Sequence, residues 1–183
     1  EFELPLIGNH QVKNCVLAIK IAKQLLGILL DISKVKKSIK TIEWPGRLEK
    51  INNKNMYYDV AHNVEGVGTM IKTISKYHPD KKIIGLFSMK SDKNIDAICS
   101  IIKNNFEMII LCHDKNGYLL HSKVLEKILN KNNIKCVIVP SVQKGVEALE
   151  RYNDDHVKVI FGSHYIAEET YTALGKYFDT SNN

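Results

Sequence analysis

"MYYDVAHNVEG", residues 56–66, is an apolar and aromatic run that ends in Asp59 and then offers His62, Asn63, Glu65 and Gly66 within seven positions. The run reads as a buried strand, and the apolar spacing from residue 64 onward reads as a helix. Aspartate is a poor strand former, so an acid in that place has a cost. A strand that passes through a short polar turn into a helix is half of a parallel crossover, and the same succession recurs downstream.

Short β-branched or apolar runs lie at "RLEKI" (47–51), "KIIGLFS" (82–88), "MIILCH" (108–113), "KCVIVP" (135–140) and "VKVIFGS" (157–163). Helical patterns fill 64–77, 92–105, 121–131 and 142–153, with a last helix expected at about 165–178 and a fraying "TSNN" end. Alternation of this length implies right-handed crossovers, and near-continuous apolar strands imply burial on both faces. The expectation is an α/β fold with a mostly parallel sheet of about six strands and helices on both faces. "RLEKINNKNMYYDV" reads instead as two strands joined by an Asn/Lys turn, so the first pair is expected to be antiparallel. Upstream, Val12, Cys15, Ile19, Ala22, Leu26 and Leu29 follow helical spacing, with Asn9 as candidate N-cap, and a shorter helix is expected at 32–41. Pro45-Gly46 is a turn signal and a candidate domain boundary.

A hydrophobic content of 44% with 25% charged residues excludes a disordered chain. The segment "CVLAIKIAKQLLGILL" is broken by Lys20, Lys23 and Gln24, so it is no membrane span. The start shows no basic stretch, apolar core and cleavage site in succession, so no signal peptide is expected. Cys15, Cys99, Cys112 and Cys136 are widely spaced in apolar runs, which points to buried reduced thiols in a cytoplasmic protein, with no zinc site or redox pair. The net charge of +6 is moderate and the lysines are scattered, with one cluster, Lys34, Lys36, Lys37 and Lys40, without aromatic interleaving. A solvated helix face is expected there, not a nucleic-acid surface, while a basic surface also suits an anionic small substrate.

In open α/β sheets, ligands bind outside the carboxyl ends of the strands. Three polar constellations sit at such ends: Asp59 with His62 and Asn63, "SMKSDKN" (88–94), and "GSHY" (162–165). Each precedes a helix, where unpaired N–H groups and the dipole favour anions. Asp and Asn are also good helix caps, so each constellation taken singly has a capping explanation. His78, His113, His121 and His156 carry no motif and are expected at the surface. No dinucleotide fingerprint, nucleophile elbow or metal-spaced histidine pair is present, and no G-x-x-x-x-G-K-[ST] occurs in the 183 residues.

Taken in order, "LIGNHQVKNCVLAI", "WPGRLE", "DVAHNVEG", "SDKN" and "GSHYIAEE" resemble the folylpolyglutamate synthase/dihydrofolate synthase family of the Mur-ligase superfamily, over residues 4 to about 170. "WPGRLE" and D-x-A-H-N are the strongest of the five. The resemblance implies residues 1–42 as closing helices of a central ATPase domain and residues 43–183 as a C-terminal Rossmann-like domain. The P-loop and the ligands of Mg2+ would lie upstream. It further implies an ATP-dependent amide ligase that joins L-glutamate to folate or dihydropteroate through an acyl phosphate, as a cytoplasmic monomer. By the same resemblance Gln11 and Asn14 face adenine, Arg47 reaches the ATP phosphates, Asp59 contacts the nucleotide, and His62 and Ser163 hold the incoming glutamate. Three positions depart from the family pattern: Val64 replaces a proline, Asn94 an acid, and His164 an apolar residue.

Three other readings compete. One is a non-catalytic α/β domain that binds a small ligand, and one a Mur-type ligase acting on a cell-wall precursor. The third is a phosphoacceptor domain modified at Asp59, for which the paired acids and later lysine are not recognisable.

Overall fold

The computed structural model describes residues 2–52 and 55–176. The chain opens with α1 (Asn9–Leu26), a 3-10 turn at Gly27–Leu29 and α2 (Ile32–Lys40). An antiparallel hairpin follows, β1 (Glu49–Asn52) and β2 (Met56–Asp59). The remaining elements alternate as α3 (Val64–Tyr77), β3 (Lys82–Phe87), α4 (Ile95–Ile102), β4 (Phe106–Leu111) and α5 (Ser122–Lys131). They end with β5 (Cys136–Ile138), α6 (Val142–Glu150), β6 (His156–Phe161) and α7 (Ala167–Ala173). The strands form one sheet in the order β1-β2-β6-β3-β4-β5. Every pair except β1 with β2 is parallel. The α/β fold, the six strands and the antiparallel first pair are thus as expected; the middle of the Asn/Lys turn, 53–54, lies outside the described residues.

The period-two alternation of strand side chains sends the core two ways. Tyr57, Phe87, Ile109, Val159 and Phe161 pack with the apolar faces of α3, α4 and α5. Met56, Tyr58, Leu86, Ile110 and Ile160 pack with α6 and α7 on the opposite face. On α3, Val67, Met70, Ile71 and Ile74 are the buried residues, an i, i+3, i+4, i+7 stripe that explains why the segment coils where it does. Asn63 starts that helix by accepting a hydrogen bond from Gly66 N at 2.7 Å, and Asn94 starts α4 by accepting from Ala97 N at 3.1 Å. Asparagine caps as well as aspartate, so Asn94 fills that place with no loss to the helix start.

Two local expectations need correction. Asn9 is the first residue of α1 and Gly8 is its N-cap, at φ 110 with no side-chain capping bond. Gly8 takes a conformation that asparagine adopts far less readily, and a Cβ there would stand 2.7 Å from the His10 ring. The last helix ends at Ala173 because Gly175 turns left-handed (φ 66) and Lys176 N reaches back to Tyr171 O at 2.8 Å. Residues 177–178 of its expected span, and "TSNN", lie outside the described residues. In α1 only Gln11 is fully buried, while Val12, Val16, Leu17, Ile21 and Leu25 are exposed. No helix among the described residues is long and apolar enough to cross a membrane.

Candidate active site at the carboxyl end of the sheet

Sheet register brings three polar turns to one edge. Asp59 pairs with Phe161, and Phe161 with Phe87, so β2, β6 and β3 end level with one another. The turns after β3 and β6 then touch: Gly162 has φ 106, and a Cβ on it would meet Ser88 O at 2.2 Å. Tyr58 Oη donates to Ser163 O at 2.9 Å, which ties the β6 turn to β2.

Arg47 is carried by a tight turn between two residues of positive φ, Gly46 and Leu48. Gly46 lies at φ 70 with its carbonyl accepting from Val60 N at 2.8 Å, and a Cβ on it would stand 2.6 Å from Val60 Cγ1. Leu48 follows at φ 50, an unfavourable region for a branched residue, and is kept there by full burial. Glu49 Oε2 accepts from Gly46 N at 3.1 Å and also from the Tyr171 hydroxyl, so α7 braces the turn from behind.

Asp59 is buried at 8% exposure, and one of its oxygens accepts from Ala61 N at 2.7 Å. Burial pushes its carboxyl up from 3.8 to about 6, against the pull of the Ala61 and Leu48 N–H groups and the Arg47 charge. His10 is held below its usual value, first by burial and then by the same guanidinium. His62 is exposed, with Nδ1 3.0 Å from Val60 O. A carbonyl only accepts, so Nδ1 carries the proton and Nε2 is the acceptor of the neutral ring. Asn14 Nδ2 donates to Gln11 Oε1 at 3.3 Å, one turn away on α1.

Gln11, Asn14, Arg47, Asp59 and His62 line one cavity of about 1040 Å³ between α1, α2 and the end of β2. Ser163 does not reach it. It lines a second cavity of about 170 Å³ with Lys90, Asp92, Lys93 and Tyr165, and His62 forms part of both walls. The Ser163 hydroxyl accepts from Tyr165 N at 3.1 Å, a local turn bond that leaves its proton to donate elsewhere. Two wall residues of the large cavity, His10 and Trp44, and one of the small, Lys90, escaped the sequence reading. All three lay inside motifs of the sequence, His10 beside Gln11, without a spacing that set them apart. Of the histidines expected at the surface, His78 is half-buried against Tyr57 Oη at 2.8 Å, and His113 and His156 are also half-buried. Cys99 and Cys112 are buried as expected, whereas Cys15 and Cys136 are only partly so.

Known proteins resemble this chain in sequence and in fold. A dihydrofolate synthase/folylpolyglutamate synthase of Mycobacterium tuberculosis is 28% identical over 127 residues, 67% of this chain and 26% of that protein. A UDP-N-acetylmuramoyl-L-alanyl-D-glutamate–2,6-diaminopimelate ligase of Buchnera aphidicola is 28% identical over 190 residues, 97% of this chain and 36% of that one. The crystal structure of the Mycobacterium tuberculosis folylpolyglutamate synthase complexed with ADP and AMPPCP has the same fold, with a TM-score of 0.83 at 23% identity. That match covers 97% of this chain and 43% of the crystallised one, so the chain spans less than half the length of each of these proteins. They bear out the resemblance read from the motifs. Residues 46–164 match the family model of the Mur ligase, glutamate ligase domain, which is more than half of the sequence, and the chain belongs to that family.

Proposed function

We propose that the chain is the C-terminal part of an ATP-dependent carboxylate–amine ligase that adds L-glutamate to folate or dihydropteroate. The observation that carries this reading is the grouping of Gln11, Asn14, Arg47, Asp59 and His62 around one cavity large enough for a nucleotide. Residues 1–42 then close an ATPase domain whose P-loop lies upstream, and residues 43–183 form the facing domain. The exposed apolar side of α1 supports a partner domain there. Residues 1–183 alone would be inactive.

ATP supplies the phosphoryl group that activates the acceptor carboxylate. Arg47 forks onto phosphate oxygens and offsets charge as it shifts, a task for positioning and electrostatics with no covalent help. Gln11 and Asn14 offer amide donors and acceptors to the adenine edge. The Asp59 carboxylate, one oxygen already committed to Ala61 N, accepts from the ribose hydroxyls. His62 Nε2 accepts from the glutamate amine, and the Ser163 hydroxyl donates to a carboxylate of the same molecule; proton removal by His62 ranks second to binding. No group of three or more His, Cys, Asp or Glu among the described residues could hold a metal ion, so the reading assigns the magnesium ligands upstream.

The test is glutamate-dependent ADP release by the full-length protein with dihydropteroate or folate. Arg47→Ala should lower the rate roughly 10²–10³-fold, the cost of removing a charge-stabilising donor. An unchanged turnover removes Arg47 from the mechanism. The near-complete alignment with the diaminopimelate ligase favours one alternative, a cell-wall ligase. ADP release that depends on a cell-wall precursor and ignores folates would establish it.

A further inference from the structure

Arg47 leads into a strand poorly built to hold it still. β1 has four residues, lies at the edge of the sheet with β2 as its one neighbour, and has an irregular register between Lys50 and Asn52. The Arg47 side chain is exposed, and among the described residues no ion pair fixes the guanidinium. Its direction is therefore set by the backbone turn beneath it. That turn holds Leu48 at φ 50, and a branched residue persists there only where its surroundings over-determine it. Two ties come from the hairpin itself: Val60 N donates to Gly46 O at 2.8 Å, and Gly46 N donates to Glu49 Oε2 at 3.1 Å. Tyr171 adds a tie from outside the hairpin, its hydroxyl donating to the same Glu49 oxygen. That bond fixes the Glu49 side chain and so keeps its oxygen under Gly46 N. The brace is itself anchored. Tyr171 is buried with its ring edge-on to Tyr58, centroids 5.9 Å apart, and Lys176 Nζ, just beyond α7, donates to Ile51 O at 2.7 Å. Burial first, and then the Glu49 carboxylate, raises the Tyr171 hydroxyl above the usual tyrosine range, so it stays a donor.

We propose that Tyr171 is a positioning residue of the ligase site: acting through Glu49, its hydroxyl fixes the turn that aims Arg47, and α7 thereby governs the rate of phosphoryl transfer. This role rests on the ligase reading, since the aim of Arg47 matters only if phosphates meet it. A charge-stabilising donor works best when it is already in place as the charge shifts, so freedom in the turn costs rate. A loosened Arg47 would still reach the phosphates, but only by giving up that freedom at each turnover. Tyr171 lines neither cavity, so an effect of its hydroxyl on the reaction is carried by the turn.

The test is a double-mutant cycle on the full-length protein, with Tyr171→Phe, Arg47→Ala and the pair, read as kcat and KM for ATP in the ADP-release assay. Phenylalanine keeps the ring against Tyr58 and removes only the hydroxyl. Tyr171→Phe should lower kcat and kcat/KM together by about tenfold, the scale of one hydrogen bond to a charged group, with KM unchanged within about twofold. In the Arg47→Ala background the same change should alter kcat less than about twofold, because nothing is left to aim. A purely structural role would lower activity equally in both backgrounds. An unchanged kcat in Tyr171→Phe, or an equal loss with and without Arg47, overturns the proposal. Glu49→Ala, taken through the same cycle, removes the brace without touching the Tyr171 ring and must show the same dependence on Arg47; additive losses there overturn it too. A parent protein that releases no ADP with glutamate and either folates or a cell-wall precursor overturns the ligase reading and this role with it. An active parent whose rate ignores the brace overturns this role alone.

Discussion

Replacing Asp59 by asparagine should make the isolated chain more stable, not less, and should do so only where the carboxylate is ionised. The folded carboxyl titrates near 6 and the unfolded one near 3.8, because folding takes the group out of water. A carboxyl whose folded value is raised contributes its stability below the unfolded value and loses it as pH climbs through the folded one. At roughly 1.4 kcal/mol per pKa unit, the ionised side chain costs about 3 kcal/mol at pH 8 and about 0.5 kcal/mol at pH 4. Asparagine keeps an oxygen for Ala61 N but accepts more weakly than a carboxylate, which trims the net gain to about 2 kcal/mol at pH 8. For a chain of this size that corresponds to a Tm roughly 4–8 °C higher at pH 8, shrinking to about 1–2 °C at pH 4. Thermal unfolding of both proteins across that range, followed by circular dichroism, reads the difference directly. Other titrating groups cancel in the comparison. A variant less stable than the parent at pH 8, or a gap that does not change with pH, would refute the argument that burial dominates at Asp59. The expected result would fit the nucleotide contact proposed for Asp59, a residue that costs the fold stability.

Gly162→Ala should be among the most damaging single changes in the chain, with a loss of more than about 3 kcal/mol by urea denaturation. The new methyl would meet the Ser88 carbonyl in a left-handed turn, and backbone cannot step aside as a flexible side chain can. Asn63→Ala removes the bond to Gly66 N and should cost about 1 kcal/mol in the same assay, with little change in the denaturant slope.

The strands and helices were legible because their signals are local. Four consecutive buried residues, Met56 to Asp59, read as a strand buried on both faces, and the stripe Val67, Met70, Ile71 and Ile74 reads as a helix whatever surrounds it. Element ends were less legible. Asn9 looked like a cap, yet the decision fell to the backbone freedom of Gly8, and α7 stopped early at the left-handed Gly175. Strand order was not legible at all, since pairing of β6 with β2 and β3 joins residues about 70 to 100 positions apart and leaves no mark on either segment. The same limit applied to the site. Arg47, Asp59 and His62 could be picked out through motifs, but their brace, the Tyr171 hydroxyl on Glu49, spans 122 positions. The division into two cavities with His62 between them depends on that non-local order.

The position of β6 has a consequence for how the molecule is made. Among the described residues β6 is the last strand in the chain, and it lies between β2 and β3, so a nascent chain cannot join these strands until residue 161 has left the ribosome. Until then β2 and β3 each expose an unpaired apolar edge, the kind of surface that other chains join. A stop anywhere before β6 would thus yield sticky, insoluble product instead of a smaller folded protein. A circular permutant of residues 1–183 opened between β5 and α6, with residues 183 and 1 linked, would supply the central strand first and should escape that delay.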